Sequence, residues 1–167
     1  DVTDLTPTPV LLAALGPVML RIAGERTDGT ILWMADERAI ATHVVPTITK
    51  AAEGAGRPAP RVVAGIPVCL CGDDEVDVAV ARTNRILSEA EVSPNYQRLL
   101  DAGDATTVGD LLAAGSERSV EKRLRSFADA GVTDLSLRVV PIGQDRDELI
   151  ASAKRTRALL AELAPIL

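Results

Sequence analysis

Four short apolar runs, each followed by a segment with helical spacing, constrain this chain more than any other feature. The runs are PVLLAAL (9–15), TILWM (30–34), RVVAGIPVCL (61–70) and VTDLSLRVV (132–140). Three of them are apolar on both faces, as strands buried from both sides are. Strands that alternate with helices pair in parallel through right-handed crossovers. Helices should therefore cover one side of the sheet and further protein the other. Two architectures meet this demand: a small doubly wound sheet, or half of a (β/α)8 barrel. No repeat of fixed period is visible, and residues 1–167 read as a single α/β unit.

The helical segments carry their own boundary signals. Pro17 suits the first turn of a helix over 17–26, because its missing N–H costs nothing there; Asp28-Gly29 ends it. Asp36 is placed to cap a helix running to about Ala55, which Pro46 would kink or divide. Asp73 or Asp74 should cap a helix to about Glu91. Residues 92–116 read as an irregular excursion, with short helices in NYQRLLDAG and VGDLLAAG. Ser116 opens a helix to Ala130 that Gly131 ends as a left-handed C-cap, and a last helix runs from Arg146 to about Leu163.

Composition narrows the function classes. The net charge of −6 (18 basic, 24 acidic) argues against nucleic acid as the main partner, since phosphate binding wants a basic surface. No apolar run reaches the roughly 18 residues of a membrane span, and no segment has the form of a signal peptide. Two cysteines fit a reducing, cytoplasmic setting. One Trp, one Tyr and one Phe leave the core to Leu, Val, Ile and Ala. The chain opens DVTDLTPTP with no Met, so the expectation is either a trimmed product or a piece of something longer.

Few residues suggest chemistry. Gly16-Pro17 joins a strand end to a helix start, on the ligand side in either architecture. Helix N–H groups and the dipole make such a place an anion site, and glycine lets a ligand approach the main chain; the same dipeptide also serves as a plain tight turn. Trp33 and Met34, at the next strand end, either wall a flat substrate or fill the core. His43, the only histidine, reads as surface or cap chemistry rather than catalysis. Cys69 and Cys71 share a strand face with Cα atoms close to 7 Å apart, too far for a good disulfide, and read as ordinary thiols without a metal. Glu117, Arg118, Glu121, Lys122, Arg123 and Arg125 read as a solvated helix face. Ser116-x-x-Ser119 lacks the Glu of a capping box, and Arg138 could face a phosphate or a neighbour. Locally, no complete active site emerges.

The stretch PVLLAALGPVMLRIAGERTDGTILWM resembles the fifth and sixth βα units of the luciferase-like flavin or deazaflavin oxidoreductases. Ala13, Ala14, Gly16, Pro17, Met19, Leu20, Ala23, Gly24, Glu25, Asp28 and Gly29 match the family pattern; Thr27 stands where Ala is usual. GRPAPRVVAGIPVCLCGD is similar to the strand-7 region. GSERSVEKRLRSFADAGVTDLSL is similar to the helix before strand 8, with Arg118 and Ser119 departing. The resemblance covers nearly the whole chain and is nearest to actinobacterial members that use coenzyme F-420.

It implies the C-terminal half of a TIM barrel, strands 5 to 8. The family's main acid/base residues come from the absent half, so no catalytic residue carries over and no metal is implied. Ala14, Leu15, Gly16, Val18 and Met19 match the backbone that holds the cofactor, coenzyme F-420 in preference to FMN, and Trp33 and Met34 match substrate-lining positions. Such a half would act on a small organic substrate only with its N-terminal half-barrel or a second copy, as a homo-oligomer; a non-catalytic binding or assembly module derived from the fold is the alternative.

Overall fold

The computed structural model describes residues 8–87 and 101–165. Its sheet is wholly parallel. β1 (Leu11–Ala13), β2 (Gly29–Trp33), β3 (Arg61–Leu70) and β5 (Asp134–Val139) lie side by side in that order. Helices α1 (Pro17–Arg26), α2 (Glu37–Ala39) with α3 (Val45–Gly54), α5 (Glu117–Asp129) and α6 (Arg146–Leu163) cover one face.

That face is the aliphatic core the composition demands. Leu32, Val62, Ala64 and Ile66 from the strands meet Leu20, Ala23, Ile40, Val44, Ile48 and Phe127 from the helices, all essentially inaccessible to water. Leu135, Leu137 and Val139 point the same way from β5. Their alternates Ser136 and Arg138 are exposed on the opposite face, with Ala13 and Ile31. A doubly wound sheet has helices on both faces; among the described residues this one has them on one, as half a barrel does.

Close backbone approach fixes the α1 layer. A Cβ on Gly24 would lie 2.5 Å from the Ile48 carbonyl oxygen, so α1 and α3 touch where Gly24 has no side chain. Gly29 opens β2 at φ +152, and a Cβ there would fall 2.0 Å from the Arg61 oxygen.

The expected boundaries hold, with one expectation sharpened and three corrected. First, the helix from Asp36 is divided, as Pro46 leads one to expect, and the division lies ahead of the proline: a π-turn over Ile40–Val44 separates α2 from α3, and the Val45 N–H reaches back to the Ile40 carbonyl. Pro46 sits in the first turn of α3, where it cannot donate and crowds the preceding turn. Second, neither Asp73 nor Asp74 caps α4 (Val76–Leu87). A 3-10 turn over Asp73–Glu75 leads into α4, with the Gly72 N–H bonded to Glu75 at 2.8 Å, while Asp73 accepts from the Ser116 N–H at 3.1 Å. Third, VGDLLAAG is a 3-10 turn (Val108–Leu111) followed by a strand, β4 (Ala113–Gly115), that pairs with Val68–Leu70 of β3. Val68 pairs with β5 as well, so β4 extends the β2 edge. Fourth, Arg123 leaves the solvated face of α5: it pairs with Glu37 at 3.1 Å and stacks over Phe127 at 5.3 Å. The continuation of α4 to Glu91 and most of NYQRLLDAG lie outside the described residues.

Gly131 behaves as expected. With φ +99 it ends α5 in a Schellman motif, the Gly131 N–H to Ala128 and the Val132 N–H to Phe127.

Candidate functional site at the strand ends

α4 and the 108–111 turn fold over the C-terminal ends of the strands. Met34, Cys69, Ala79, Leu87, Val108, Leu111, Val140 and Ile142 form a second core there, with Trp33, Cys71 and Val80 against it. This places the expected substrate-lining pair unequally. Met34 is buried in that core, and its backbone takes the left-handed conformation at φ +62. A non-glycine residue pays for that conformation, and such strain concentrates at functional sites. Trp33 is half-buried and points to the open face, opposite Leu32. Its indole lies on β3 where Gly65 leaves room; a Cβ there would meet the ring at 2.5 Å. Gly65 escaped the sequence reading, because a glycine inside an apolar strand does not announce the ring it accommodates.

The expected cofactor segment lies at the neighbouring strand end. Ala14 turns its methyl into the core and offers only its main chain. Its carbonyl, and that of Leu12, accept from the buried Thr30 hydroxyl at 3.3 and 2.9 Å. The Leu15 carbonyl faces His43 Nε2 at 3.3 Å, so the lone histidine sits in the π-turn and reaches the Leu15-Gly16-Pro17 turn from the helix layer. Thr30 and His43 are the residues that hold the strand end. Neither contact was visible in sequence, since each joins positions far apart in the chain.

Gly16 is the N-cap of α1, with φ −88 and ψ 159 and no side-chain cap; the first turn carries no acidic residue. That conformation suits any residue before proline. A Cβ added to Gly16 would meet nothing within 4 Å. The fold gives no reason for glycine here, and a helix start would be better served by Ser, Asp or Asn. The bare turn instead leaves the first N–H groups of α1 and the space beside them open, with the positive end of the helix dipole behind. A phosphate or a ring carbonyl fits this donor set. Val18 and Met19 extend from the turn into solvent, 61% and 41% exposed. Val18 also borders a groove of about 830 Å3 between α1 and α3, lined by Pro17, Arg21, Glu25, Pro46, Lys50 and Ala51. The groove lies between the helices, on the side away from Trp33, so the segment Ala14–Met19 faces two different spaces.

Cys69 is buried and both cysteines are free; burial, then the neighbouring Cys71, pushes the Cys69 thiol up to about 12, which keeps it protonated and unreactive. Among the described residues no group of His, Cys, Asp and Glu could hold a metal ion, and no helix is long and apolar enough to cross a membrane. Asp110 and Asp36 act as anchors. Burial works against ionisation of Asp110, yet the donors of Thr106 and Thr107 outweigh it and hold its pKa low. Asp36 caps Ala39 at 2.8 Å and takes the Ala105 N–H at 2.8 Å, tying the segment after residue 100 to α2.

Comparison with known proteins agrees with this geometry. The sequence profile of the luciferase-like monooxygenases matches residues 2–134. The 5,10-methylenetetrahydromethanopterin reductase of Methanopyrus kandleri is 25% identical over 85% of this chain and 47% of its own length. Among solved structures, an F420-dependent secondary alcohol dehydrogenase in complex with an F420–acetone adduct superposes over 93% of this chain and 49% of its own, with a TM-score of 0.64 at 16% identity. The FMN complex of a Baeyer-Villiger monooxygenase from Pseudomonas putida superposes over 89% of this chain and 45% of its own, with a TM-score of 0.55 at 18% identity. The chain thus spans about half the length of the relatives it matches.

Proposed function

We propose that this chain, which belongs to the luciferase-like monooxygenase family, is the half of a barrel that holds one side of a deazaflavin or flavin cofactor in an oxidoreductase. The cofactor, when bound, supplies the hydride acceptor or donor; the protein orients the ring and excludes water. Coenzyme F-420 is the preferred occupant over FMN, and a small organic molecule the substrate. The observation that carries the reading is Gly16, whose missing side chain the fold does not need and whose open space borders the uncapped N–H groups of α1.

In this reading the donors of the Gly16–Met19 turn take a phosphate or ring carbonyl, and Trp33 bounds the same mouth from the next strand. The sheet's open face, with Ile31 and Arg138 exposed, is closed by an N-terminal half-barrel or a second copy. The acid/base groups come from that complement. The free thiols fit a reducing, cytoplasmic setting.

The test combines intact mass and cofactor titration on the protein isolated from its source. The expected result is a chain or complex about twice this length that binds coenzyme F-420 more tightly than FMN. Tight binding of the deazaflavin by the 167-residue chain alone overturns the half-site reading. Binding of neither cofactor by the complete protein overturns the oxidoreductase reading.

A further inference from the structure

We infer that His43 is a positioning residue: by holding the Leu15 carbonyl from the helix layer, it sets the direction in which the Leu15–Gly16 peptide presents its N–H to the cofactor. The inference rests on the strand-end turn being the cofactor contact.

The argument starts from one peptide plane. The described backbone has no cis peptide, and in a trans peptide the C=O and N–H point in opposite directions. Whatever fixes the Leu15 carbonyl therefore aims the Gly16 N–H. His43 Nε2 lies 3.3 Å from that carbonyl oxygen. A carbonyl only accepts, so Nε2 carries the proton, in the neutral tautomer or the imidazolium alike. The Gly16 N–H is turned away from His43 as a result. Among the described residues no protein group accepts from it.

Thr30 supports the preceding residues but not this peptide. Its hydroxyl reaches Leu12 and Ala14, which leaves Leu15 as the last carbonyl before the glycine and His43 as its side-chain partner. Gly16 cannot steady itself: it has no side chain, and nothing stands within 4 Å of where one would begin. A turn that must stay open to a ligand has to be held from behind.

The local fold brings His43 to the task. Asp36 fixes the start of the segment by accepting from Ala39. The π-turn over Ile40–Val44 adds a residue to one turn ahead of Pro46. It thereby rotates the side chains before it relative to those of α3, and His43 faces β1 while Val44 and Ile48 stay in the core. Turns of this kind recur at functional sites.

Leu15–Gly16 is the only Leu-Gly pair in the chain. Carbonyl-13C leucine with 15N glycine therefore isolates this one peptide in an NMR spectrum, with no cofactor present. His43→Ala is expected to move that signal, in the direction of a lost carbonyl hydrogen bond; His43→Gln, whose amide also donates at that reach, is expected to restore it. In the complete protein, His43→Ala should weaken coenzyme F-420 binding by three- to tenfold, the net effect of one hydrogen bond, and His43→Gln should recover most of it.

A signal that does not move in His43→Ala overturns the positioning role, whatever the cofactor does. A signal that moves, with affinity lost in Gly16→Ala but kept in His43→Ala, also overturns it. If the signal moves and neither variant changes the affinity, the turn is not the cofactor contact and the reading beneath the inference falls. Circular dichroism of His43→Ala checks that the fold is kept; if it is not, His43→Gln against wild type decides by the same signal and affinity.

Discussion

Two glycines eight residues apart, Gly16 and Gly24, stand in opposite surroundings, and only the structure separates them. Gly24 serves the fold: a Cβ would press on Ile48 and Ala51 of α3 at 2.5 and 2.8 Å. Gly24→Ala is expected to cost about 1–3 kcal/mol through overpacking, read as a lower denaturant midpoint at unchanged slope. Gly16 has no such task in the fold: a Cβ there would meet nothing within 4 Å, and the proposed reading gives that space to the cofactor. Gly16→Asp gives α1 the side-chain cap it lacks and a charge that suits its dipole, so stability should rise by a few tenths of a kcal/mol. The same carboxylate occupies the open space and repels an anionic cofactor, so affinity in the complete protein should fall at least tenfold. Gain of stability with loss of binding separates a ligand site from a scaffold turn; if both stay unchanged, the turn holds nothing. Sequence pattern located both glycines, in LGPVMLRIAGERTDG, and left Gly16 between ligand approach and a plain tight turn, because what an absent side chain would have met shows only in the structure. His43 was discounted for the same kind of reason, since its partner Leu15 stands 28 residues away.

At the level of elements, the long runs and clear caps were legible and the short or borrowed features were not. α5 carries strong apolar periodicity, α6 is long and opened by the Asp145 cap, and Gly131 and Asp36 act where their residue types predict. β4 was missed because three residues, Ala113–Gly115, have no periodicity to read; their strand exists only because the last residues of β3 extend past β2 and offer an unpaired edge. The π-turn was missed because only the position of Pro46, and not the rewinding ahead of it, shows in one dimension. The joint between β3 and β5 is likewise invisible until the strands are adjacent: Arg61 grips Asp134 through two bonds, at 2.5 and 3.0 Å, at the ends remote from the candidate site. Hydrogen bonds from Arg61, then from Thr133, hold the Asp134 carboxyl below its ordinary range. A depressed carboxyl stabilises the fold above its unfolded value, roughly 3.9, and that contribution is lost as pH falls through the lower folded value. Asp134→Asn should therefore flatten the decline of the urea midpoint below about pH 4 and leave the strand-end site untouched. An unchanged acid limb would mean that the pair, which is partly exposed, is screened into insignificance.

Over the whole molecule the decisive fact is that, among the described residues, helices clothe one side of a parallel sheet. Among the described residues β1 and β5 each have one neighbour, and Ile31 is 40% exposed in the middle of a strand, a position that barrels fill with packed side chains. Trp33, the only tryptophan, stands on this face half-buried against Gly65, so its fluorescence reports whether the face is covered. In the 167-residue chain alone, acrylamide should reach Trp33 readily. In the complete protein the emission should shift to the blue and the quenching fall, because the opposing half removes water from the indole. If a second copy supplies the cover, the blue shift should disappear on dilution together with the doubled mass in sedimentation; if an N-terminal half-barrel does, it should not depend on concentration. Ile31→Asp sharpens the comparison. At an exposed position the substitution should change the stability of the chain alone by no more than about 0.5 kcal/mol. Against a closed barrel interior, an unpaired carboxylate is costly enough to prevent closure. The variant should then keep the uncovered Trp33 spectrum under conditions where wild type shows the covered one, and it should lose coenzyme F-420 binding through a residue remote from the Leu15-Gly16-Pro17 turn. Identical Trp33 quenching in the chain alone and the complete protein would show that nothing closes over this face, and the half-barrel would have to be read as a finished molecule.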